Sequence, residues 1–297
     1  MKVKPGHPRS VLIIGCGDIG LRTAALFTAR DIEVHGAART QDSLDAMQQQ
    51  GITPHIADLD MPETLASLPV RDTLLYYFAP PARHGTEDTR MHNFLASLDE
   101  DKLPAKIVYL STSGVYGDQQ GQRITEQTTP APAVDRARRR FDAEQQLRKF
   151  VQQKPVELVI LRVGGIYGPG RLPEKRLRDR VPIIHEELAP RTNRIHADDL
   201  ARTCEAAGLQ GQPGEIYNIS DGTDSNMTQY FKLIADHLGL PHPPEIGWEE
   251  AEHSISPGMM SYLRESRHMD NSKMLHELGV ELRYPTLQSW LATLNGD

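Results

Sequence analysis

Residues 11–27 read VLIIGCGDIGLRTAALF: an apolar run, then glycines at positions 15, 17 and 20, then a stretch that suits the start of a helix. A G-x-G-x-x-G pattern predicts a dinucleotide-binding turn only where a strand precedes it and a helix follows, and this stretch meets both conditions. Gly15 would permit the tight turn, Gly17 the close approach of a pyrophosphate, and Gly20 the packing of the helix on its strand. Backbone N–H groups at the helix start, from Asp18 and Ile19 onward, would bind the phosphates. The alternative is a glycine-rich turn that binds nothing.

The composition is that of an ordinary soluble globule, with 297 residues of which 38% are hydrophobic and 25% charged. A net charge of −7 argues against a nucleic-acid-binding surface spread over the whole protein. The first ten residues, MKVKPGHPRS, lack the apolar core of a signal peptide, and no apolar run has the length of a membrane span. We therefore expect a cytoplasmic protein with neither a nucleic-acid nor a membrane partner. Cys16 and Cys204 lack metal-ligand spacing, which predicts two buried fillers and no metal site.

Strand-like and helix-like stretches alternate through the first part of the chain. Short apolar or β-branched runs predict strands at 32–36, 73–78, 106–110 and 157–163. The spacing of apolar residues predicts a crossover helix at 138–151. This alternation predicts an α/β fold, a Rossmann-type doubly wound parallel sheet with helices on both faces.

Beyond Pro169 the alternation fades, which predicts a smaller, mixed C-terminal domain, with one more strand at 215–219 returned to the main sheet. We therefore assign residues 1–170 and about 195–220 to a NAD(P)-binding Rossmann domain. The rest, about 171–194 and 221–297, forms the predicted small substrate-binding domain. Residues 171–194 carry seven Lys or Arg against four Asp or Glu. This excess favours an anionic substrate or, alternatively, marks a solvated loop.

The end of the second strand bears on the choice of dinucleotide. An acidic residue there suits the ribose hydroxyls of NAD, whereas an arginine suits the 2′-phosphate of NADP. The chain offers Arg39 and Thr40 at this place, with Glu33 too early and Asp42 too late. A guanidinium pairs bidentately with phosphate, so Arg39 favours NADP, with NAD as the alternative cofactor. The competing interpretation is an exposed arginine that caps the loop.

Further motifs follow in order along nearly the whole chain. They are Asp58-Leu59, VYLSTSGVYGD at 108–118, LRVGGIYGPGR at 161–171, RIHADDLA at 194–201 and IYNISDG at 216–222. With the glycine turn, these motifs resemble the extended short-chain dehydrogenase/reductase superfamily, the NAD-dependent epimerase/dehydratase family. Family members often dimerise, so the resemblance implies a homodimer.

The resemblance implies three further groups of cofactor contacts. Asp58 and Leu59 would border the adenine, Ala79 and Pro80 would line the cofactor after the fourth strand, and Val163, Gly164 and Gly165 would lie near the nicotinamide. Structural alternatives exist for each group. Asp58 can be a loop residue or a helix cap, and the Gly-Gly pair can simply allow close packing.

The chain departs from the family at the catalytic positions. The family uses a Ser or Thr on strand five, then Tyr and Lys four residues apart on one face of the next helix. Counting back from Tyr116 places Thr112 at the Ser/Thr position. With Glu144 at the last position of the family's YxxxKxxxE pattern, Arg136 stands where the tyrosine belongs and Arg140 where the lysine belongs. This identifies an atypical subgroup that lacks the Tyr-x-x-x-Lys pair.

Arginine stays protonated at physiological pH, so Arg136 cannot exchange the proton as tyrosine does. Two arginines one helical turn apart can instead bind a carboxylate or phosphate. Alternatively, Arg140 and Glu144 form an exposed pair on a solvated helix face. Tyr116, Tyr167 and Glu126 are weaker proton-donor candidates.

Two functions from different classes remain open at this stage. One is an NADP-dependent epimerase/dehydratase-like or oxidoreductase-like enzyme of atypical mechanism. In that enzyme Thr112 would polarise an oxygen of a small substrate, and Arg136 or Arg140 would orient it. The other is a catalytically inert NADP-sensing or scaffold protein that binds a protein partner. The third possibility is a protein that keeps the fold but no longer binds a dinucleotide.

Overall fold

The computed structural model describes residues 8–294. Residues 1–7 and 295–297 lie outside the described residues. Residues 1–7 belong to the decapeptide on which the predicted absence of a signal peptide rests. None of the helices in residues 8–294 combines the length and the hydrophobicity that a membrane-spanning helix requires.

The elements alternate as predicted as far as the strand at 157–163. The strands are β1 Ser10–Ile14, β2 Glu33–Ala38, β3 Thr53–Ile56, β4 Leu74–Tyr77, β5 Lys106–Thr112, β6 Arg123–Ile124, β7 Glu157–Val163, β8 Gly165–Tyr167, β9 Ile183–Ile184, β10 Arg191–Thr192, β11 Arg194–His196, β12 Ile216–Ile219, β13 Ser225–Asn226, β14 Glu245–Ile246 and β15 His268–Met269. The helices are α1 Asp18–Thr28, α2 Gln41–Gln49, α3 Thr89–Ala96, α4 Asp135–Val151, α5 Glu174–Arg178, α6 Ala197–Gln210, α7 Met227–His237, α8 Trp248–Ser254, α9 Pro257–Leu263, α10 Ser272–Glu277 and α11 Leu287–Leu294.

The central sheet has seven strands in the order β12-β7-β5-β4-β1-β2-β3, and every pairing in it is parallel. The predicted Rossmann-type sheet is confirmed. The chain runs outward from β1 to β3, returns to β4 beside β1, and continues the other way. Ligands of such sheets bind outside the carboxyl ends of the strands, where the order reverses. The glycine turn after β1 lies at that point.

Side chains of each central strand alternate between two cores, because successive strand residues point to opposite faces. Ile13 packs in the cluster that contains Phe27 of α1 and Cys204 of α6. Its neighbour Leu12 packs in the cluster on the other face, with Leu147 of α4. Cys204 and Cys16 are both buried, as predicted, and burial raises the pKa of the Cys16 thiol to about 12.

The distal part of the chain builds smaller clusters of its own. One joins α7 and α11 through Phe231 and Trp290, and another joins α8 and α9 through Ala251 and Leu263. The predicted strand at 215–219 is confirmed, because β12 pairs with β7. The division into two domains stays a prediction.

Candidate cofactor and active site

The glycine turn has a backbone shape that side chains would disrupt. Gly15 has φ +81°, and a Cβ built on it would stand 2.5 Å from the backbone nitrogen of Ala79 at the end of β4. A Cβ on Gly20 would lie 3.2 Å from the Cγ2 atom of Ile13, so helix α1 packs closely on β1. The predicted roles of both glycines in shaping the turn match this geometry.

The start of α1 offers room for a phosphate. Gly17 is the N-cap residue, and no side chain among the described residues caps the helix there. A Cβ built on Gly17 would meet nothing within 4 Å. The first-turn N–H groups of a helix need acceptors from outside it. The open space and the available N–H groups therefore fit the pyrophosphate of a dinucleotide.

The side chain of Asp18 links the turn to another part of the chain. It accepts hydrogen bonds from Arg22 Nε at 2.8 Å and from Arg171 Nε at 2.7 Å. Burial raises the pKa of Asp18, but the hydrogen bonds from Arg22 and Arg171 outweigh burial and lower it below its ordinary value. Arg171 therefore fastens the loop that follows β8 to the turn that follows β1.

Two of the residues predicted to bind the adenosine half of the cofactor are exposed. Arg39 and Thr40 are solvent-exposed at the end of β2, and Thr40 is the N-cap of α2. Within the described chain, Arg39 has no carboxylate oxygen within 4 Å, so its guanidinium is available to a ligand. Asp58 Oδ1 accepts from the backbone nitrogen of Asp60 at 3.0 Å, and Leu59 is buried.

Two of the predicted cofactor positions have a structural task of their own. Ala79 donates its N–H to the carbonyl of Ile14 at 3.1 Å, which ties the ends of β4 and β1. A Cβ on Gly164 would stand 2.6 Å from the carbonyl oxygen of Asn193, so this glycine allows two backbone segments to pack closely. Val163 is buried beside it.

A cavity of about 800 Å³ opens at the carboxyl edge of the sheet. It brings together several predicted residues, namely Pro80, Thr112, Arg136, Arg140, Gly164 and Gly165. The glycines of the first turn, Arg39, Thr40, Asp58 and Leu59 do not line it. The cavity therefore contains several of the residues predicted for the nicotinamide and substrate end of the site, and their roles stay predictions.

The cavity is strongly cationic. Among residues 8–294, its lining has a single acidic residue, Glu265, against nine arginines. The arginines are Arg83, Arg136, Arg139, Arg140, Arg171, Arg176, Arg191, Arg194 and Arg267. Sequence reasoning selected only Arg136 and Arg140, together with the basic excess of 171–194. A cleft with one sign of charge attracts ligands of the opposite sign.

The two arginines of α4 behave differently. Arg140 donates from Nη1 to the carbonyl oxygens of Ala79 at 3.2 Å and Leu110 at 3.1 Å, so it braces β4 and β5. Arg136 reaches across the cavity to α9, where its Nη1 donates to Ser261 Oγ at 2.6 Å. The Cζ atom of Arg136 also lies 3.7 Å from the ring centre of Tyr262.

The alternative of an exposed Arg140–Glu144 pair is wrong. Glu144 is buried and pairs with Arg162 of β7, with 2.7 Å between Oε2 and Nη2. Ser111 Oγ donates to the other oxygen, Oε1, of the same carboxylate. Helix α4 thus turns Glu144 into the core, while Arg136 lines the cavity.

Thr112 ends β5 at the cavity. Its Oγ1 accepts a hydrogen bond from the backbone nitrogen of Gly114 at 3.2 Å, which leaves the hydroxyl proton available to a ligand. A Cβ built on Gly114 would lie 3.6 Å from both Thr112 Oγ1 and the Cβ of Ala137. The first turn of α4 therefore lies close to Thr112.

The weaker proton-donor candidates are engaged elsewhere. Tyr116 is buried and donates to Asn218 Oδ1 at 2.7 Å, and Tyr167 is buried and donates to the carbonyl of Tyr284 at 3.2 Å. Glu126 accepts from the backbone nitrogen of Asn218 at 2.8 Å. These contacts position loops around the sheet.

One cavity arginine is held without an acidic partner. The Cζ atom of Arg194 lies 3.3 Å from the ring centre of Tyr230, and its Nη2 contacts the sulfur of Met227. Its buried Nε has no hydrogen-bond acceptor among the described residues. Burial lowers the pKa of Arg194. Arg194 is half-buried, and a cation that is partly removed from water is stabilised by an anion that joins it.

Comparison with known proteins supports the resemblance. The NAD dependent epimerase/dehydratase family model matches residues 11–220. Protein YeeZ of Escherichia coli K12 is 27% identical over 286 residues, covering 93% of this chain and 97% of YeeZ. A functionally unknown conserved protein from Silicibacter pomeroyi is 26% identical, with a TM-score of 0.79 and coverage of 97% of this chain and 98% of that chain. UDP-glucose 4-epimerase of Thermotoga maritima, solved with UDP-glucose, shares the fold at 18% identity, with a TM-score of 0.77 over 95% and 96% of the two chains.

Proposed function

This chain belongs to the NAD dependent epimerase/dehydratase family, and we propose that it is an NADP-dependent oxidoreductase or epimerase/dehydratase that acts on a small anionic substrate. The observation that carries the proposal is the cationic cavity at the carboxyl edge of the sheet, with nine arginines and one glutamate in its lining. Ligands of open α/β sheets bind at this edge.

The residues present fit a dinucleotide along the sheet edge. The open N-terminus of α1 at Gly17 would hold the pyrophosphate, Arg39 the 2′-phosphate, and Gly164 and Gly165 would lie beside the nicotinamide. The bound cofactor supplies or accepts a hydride. On this proposal the substrate is held mainly by the distal residues of 171–194 and 221–297, and NADP by the rest.

The side chains of the cavity have separate roles in this proposal. Thr112 directs its hydroxyl proton at a substrate oxygen, because its lone pair is already used by Gly114 N–H. Arg136 and Arg194 bind the anionic group, since neither has a carboxylate partner within 4 Å in the described chain. Arg140 fixes the floor of the cavity through Ala79 and Leu110.

Calorimetry with NADP⁺ and NAD⁺, followed by an activity panel, tests the function. We expect tighter binding of NADP⁺, and NADPH oxidation with small carbonyl compounds that carry a carboxylate or phosphate. The matched esters and amides should react more slowly, because they lack the charge. Equal rates with charged and neutral members would contradict the anionic substrate, and absence of binding heat would contradict the cofactor assignment.

The arginines at positions 136 and 140 favour a second candidate, a catalytically inert NADP-sensing scaffold. Arginine cannot exchange the proton that the family's tyrosine exchanges. On this hypothesis a protein partner would be captured from a lysate in the presence of NADP⁺ and lost in its absence. A protein that oxidises NADPH with any member of the panel is not inert, which separates the two candidates.

A further inference from the structure

The cavity contains few side chains that exchange a proton near neutral pH. Its nine arginines remain protonated. Apart from the arginines, the ionisable side chains that line it are Tyr230, Tyr262 and Glu265. A carbonyl reduction needs a proton donor for the developing alkoxide, so these three groups are the candidates.

Two of the three are buried. Glu265 is buried, and its Oε2 lies 3.0 Å from Nη1 of Arg267. Tyr230 is also buried, and the guanidinium of Arg194 covers its ring at 3.3 Å. Burial raises the pKa of Tyr230, although the neighbouring Arg194 opposes this rise.

Tyr262 of α9 differs from both. It is 53% exposed, and its hydroxyl has no hydrogen-bond partner among the described residues. Arg136 holds it in place through two contacts: the guanidinium stacks on the Tyr262 ring at 3.7 Å, and Nη1 binds the neighbouring Ser261. The Tyr262 ring therefore lies against the guanidinium of Arg136, which α4 presents to the cavity.

The other tyrosines do not compete. Tyr76, Tyr77, Tyr109, Tyr116, Tyr167 and Tyr217 are fully buried. Tyr284 is partly buried and does not line the cavity. All nine tyrosines of the chain lie within the described residues, and among them only Tyr262 is both exposed and part of the cavity wall.

We propose that Tyr262 is the general acid and base of this site, a role that rests on the proposed function. In the reducing direction, a hydride from the nicotinamide cofactor adds to the carbonyl carbon and the C=O π electrons move to oxygen. That oxygen takes the phenol proton of Tyr262, which leaves a phenolate and an alcohol product. Water reprotonates the exposed phenolate, and the reverse reaction uses the phenolate as base. Besides the substrate-binding role proposed above, Arg136 positions the Tyr262 ring.

Nitration tests the placement without turnover. Tetranitromethane should modify Tyr262 because it is exposed, and peptide mass spectrometry identifies the modified residue. Nitrotyrosine absorbs visible light when ionised, so its titration reports charges near the phenol. Saturating NADP⁺ should shift the titration midpoint by about half a pH unit or more. Adenosine 2′,5′-bisphosphate, which lacks the nicotinamide, should leave it in place.

Calorimetry on the same sample separates the outcomes. Binding of NADP⁺ without a titration shift, or an equal shift with adenosine 2′,5′-bisphosphate, overturns the role of Tyr262 and leaves the proposed function standing. Absence of NADP⁺ binding overturns both.

Kinetics of two hydroxyl deletions provide the second arm. For a panel compound that is turned over, Tyr262→Phe should lower kcat about a hundredfold or more and change the pH dependence of kcat/KM. Tyr284→Phe removes a hydroxyl outside the cavity and should keep both. Unchanged kcat in Tyr262→Phe, with unchanged NADP⁺ affinity, contradicts the proposal.

Discussion

Glu144 of α4 and Arg162 of β7 form a buried ion pair, with side chains 0% and 3% exposed and 2.7 Å between Oε2 and Nη2. Ser111 donates to the same carboxylate, so the pair joins α4 to both β5 and β7. Because α4 also carries Arg136 and Arg140, this pair sets the rotation of the helix that faces the cavity. Arg162 further lies 4.7 Å from the ring centre of Tyr116.

Removing one partner should therefore be costly. We expect Glu144→Ala to lower the free energy of unfolding by about 3–5 kcal/mol, because it leaves the Arg162 charge buried and unpaired. Urea denaturation measures the effect. The double variant Glu144→Leu with Arg162→Met should recover most of the loss, since an apolar pair needs no charge partner. A double variant as unstable as Glu144→Ala would contradict this account.

Gly17→Ala should separate ligand binding from folding. The new methyl group meets no protein atom within 4 Å, but it enters the space where the pyrophosphate would lie. We expect NADP⁺ affinity to fall about tenfold or more, roughly 1.4 kcal/mol or above, with little change in stability. Gly247→Ala is the matched control, because Gly247 is also a helix N-cap with open space around it. Loss of affinity in both variants would argue against a specific site.

Arg39→Asp should reverse the cofactor preference. The guanidinium is exposed at the end of β2, and its replacement by a carboxylate repels a 2′-phosphate while accepting ribose hydroxyls. We expect calorimetry to show weaker NADP⁺ binding and unchanged or stronger NAD⁺ binding. An unaltered ratio of the two affinities would remove Arg39 from the site.

The sequence predicts the elements around the candidate site that depend on residues close together in the chain. The strand before Gly15 and the helix after Gly17 follow from spacing within two elements, whereas the register of Glu144 on α4 was implied by the resemblance. The edge strand β3 escaped the hydrophobic pattern because its residues Thr53–Ile56 are half-buried or exposed. Its position was implied only by the resemblance at Asp58.

The contacts that form the distal wall of the cavity could not be predicted from the sequence, for a different reason. Tyr262 meets Arg136 from a helix more than a hundred residues away, and Arg267 reaches the carbonyl of Gly117 across 150 positions. Neither the Tyr262–Arg136 contact nor the Arg267–Gly117 hydrogen bond produces a periodic pattern in the sequence from which it could be predicted. The basic excess of 171–194 was visible, but only the fold shows that Arg194 is half-buried against Tyr230 while Arg178 is exposed.

Asp221 should make stability depend on pH. Burial raises the pKa of its carboxyl from 3.8 to about 6. The folded state then holds a proton that the unfolded state has already released between about pH 4 and pH 6, so the contribution of Asp221 to stability falls as pH rises through this window. We expect unfolding free energies to show that Asp221→Asn gains relative to wild type between pH 4 and pH 7, by about 1.4 kcal/mol per pK unit before solvent screening. A difference that does not vary with pH would contradict the raised pKa.

Arg194→Met should separate anion binding from folding in the same way that Gly17→Ala does for the cofactor. The half-buried guanidinium lies on Tyr230, with no acidic partner among the described residues, so an apolar side chain of similar length should leave the unfolding free energy unchanged or raise it by about 1 kcal/mol. The cavity then loses one of the cations assigned to the substrate.

Because a ligand that binds only the folded state stabilises it, millimolar inorganic phosphate should raise the Tm of the wild type above that in chloride of equal ionic strength. We expect this increase to shrink in Arg194→Met and to persist in Arg178→Met, whose arginine is exposed, lies near Glu174 and does not line the cavity. Equal phosphate responses in all three proteins would remove Arg194 from the anion site.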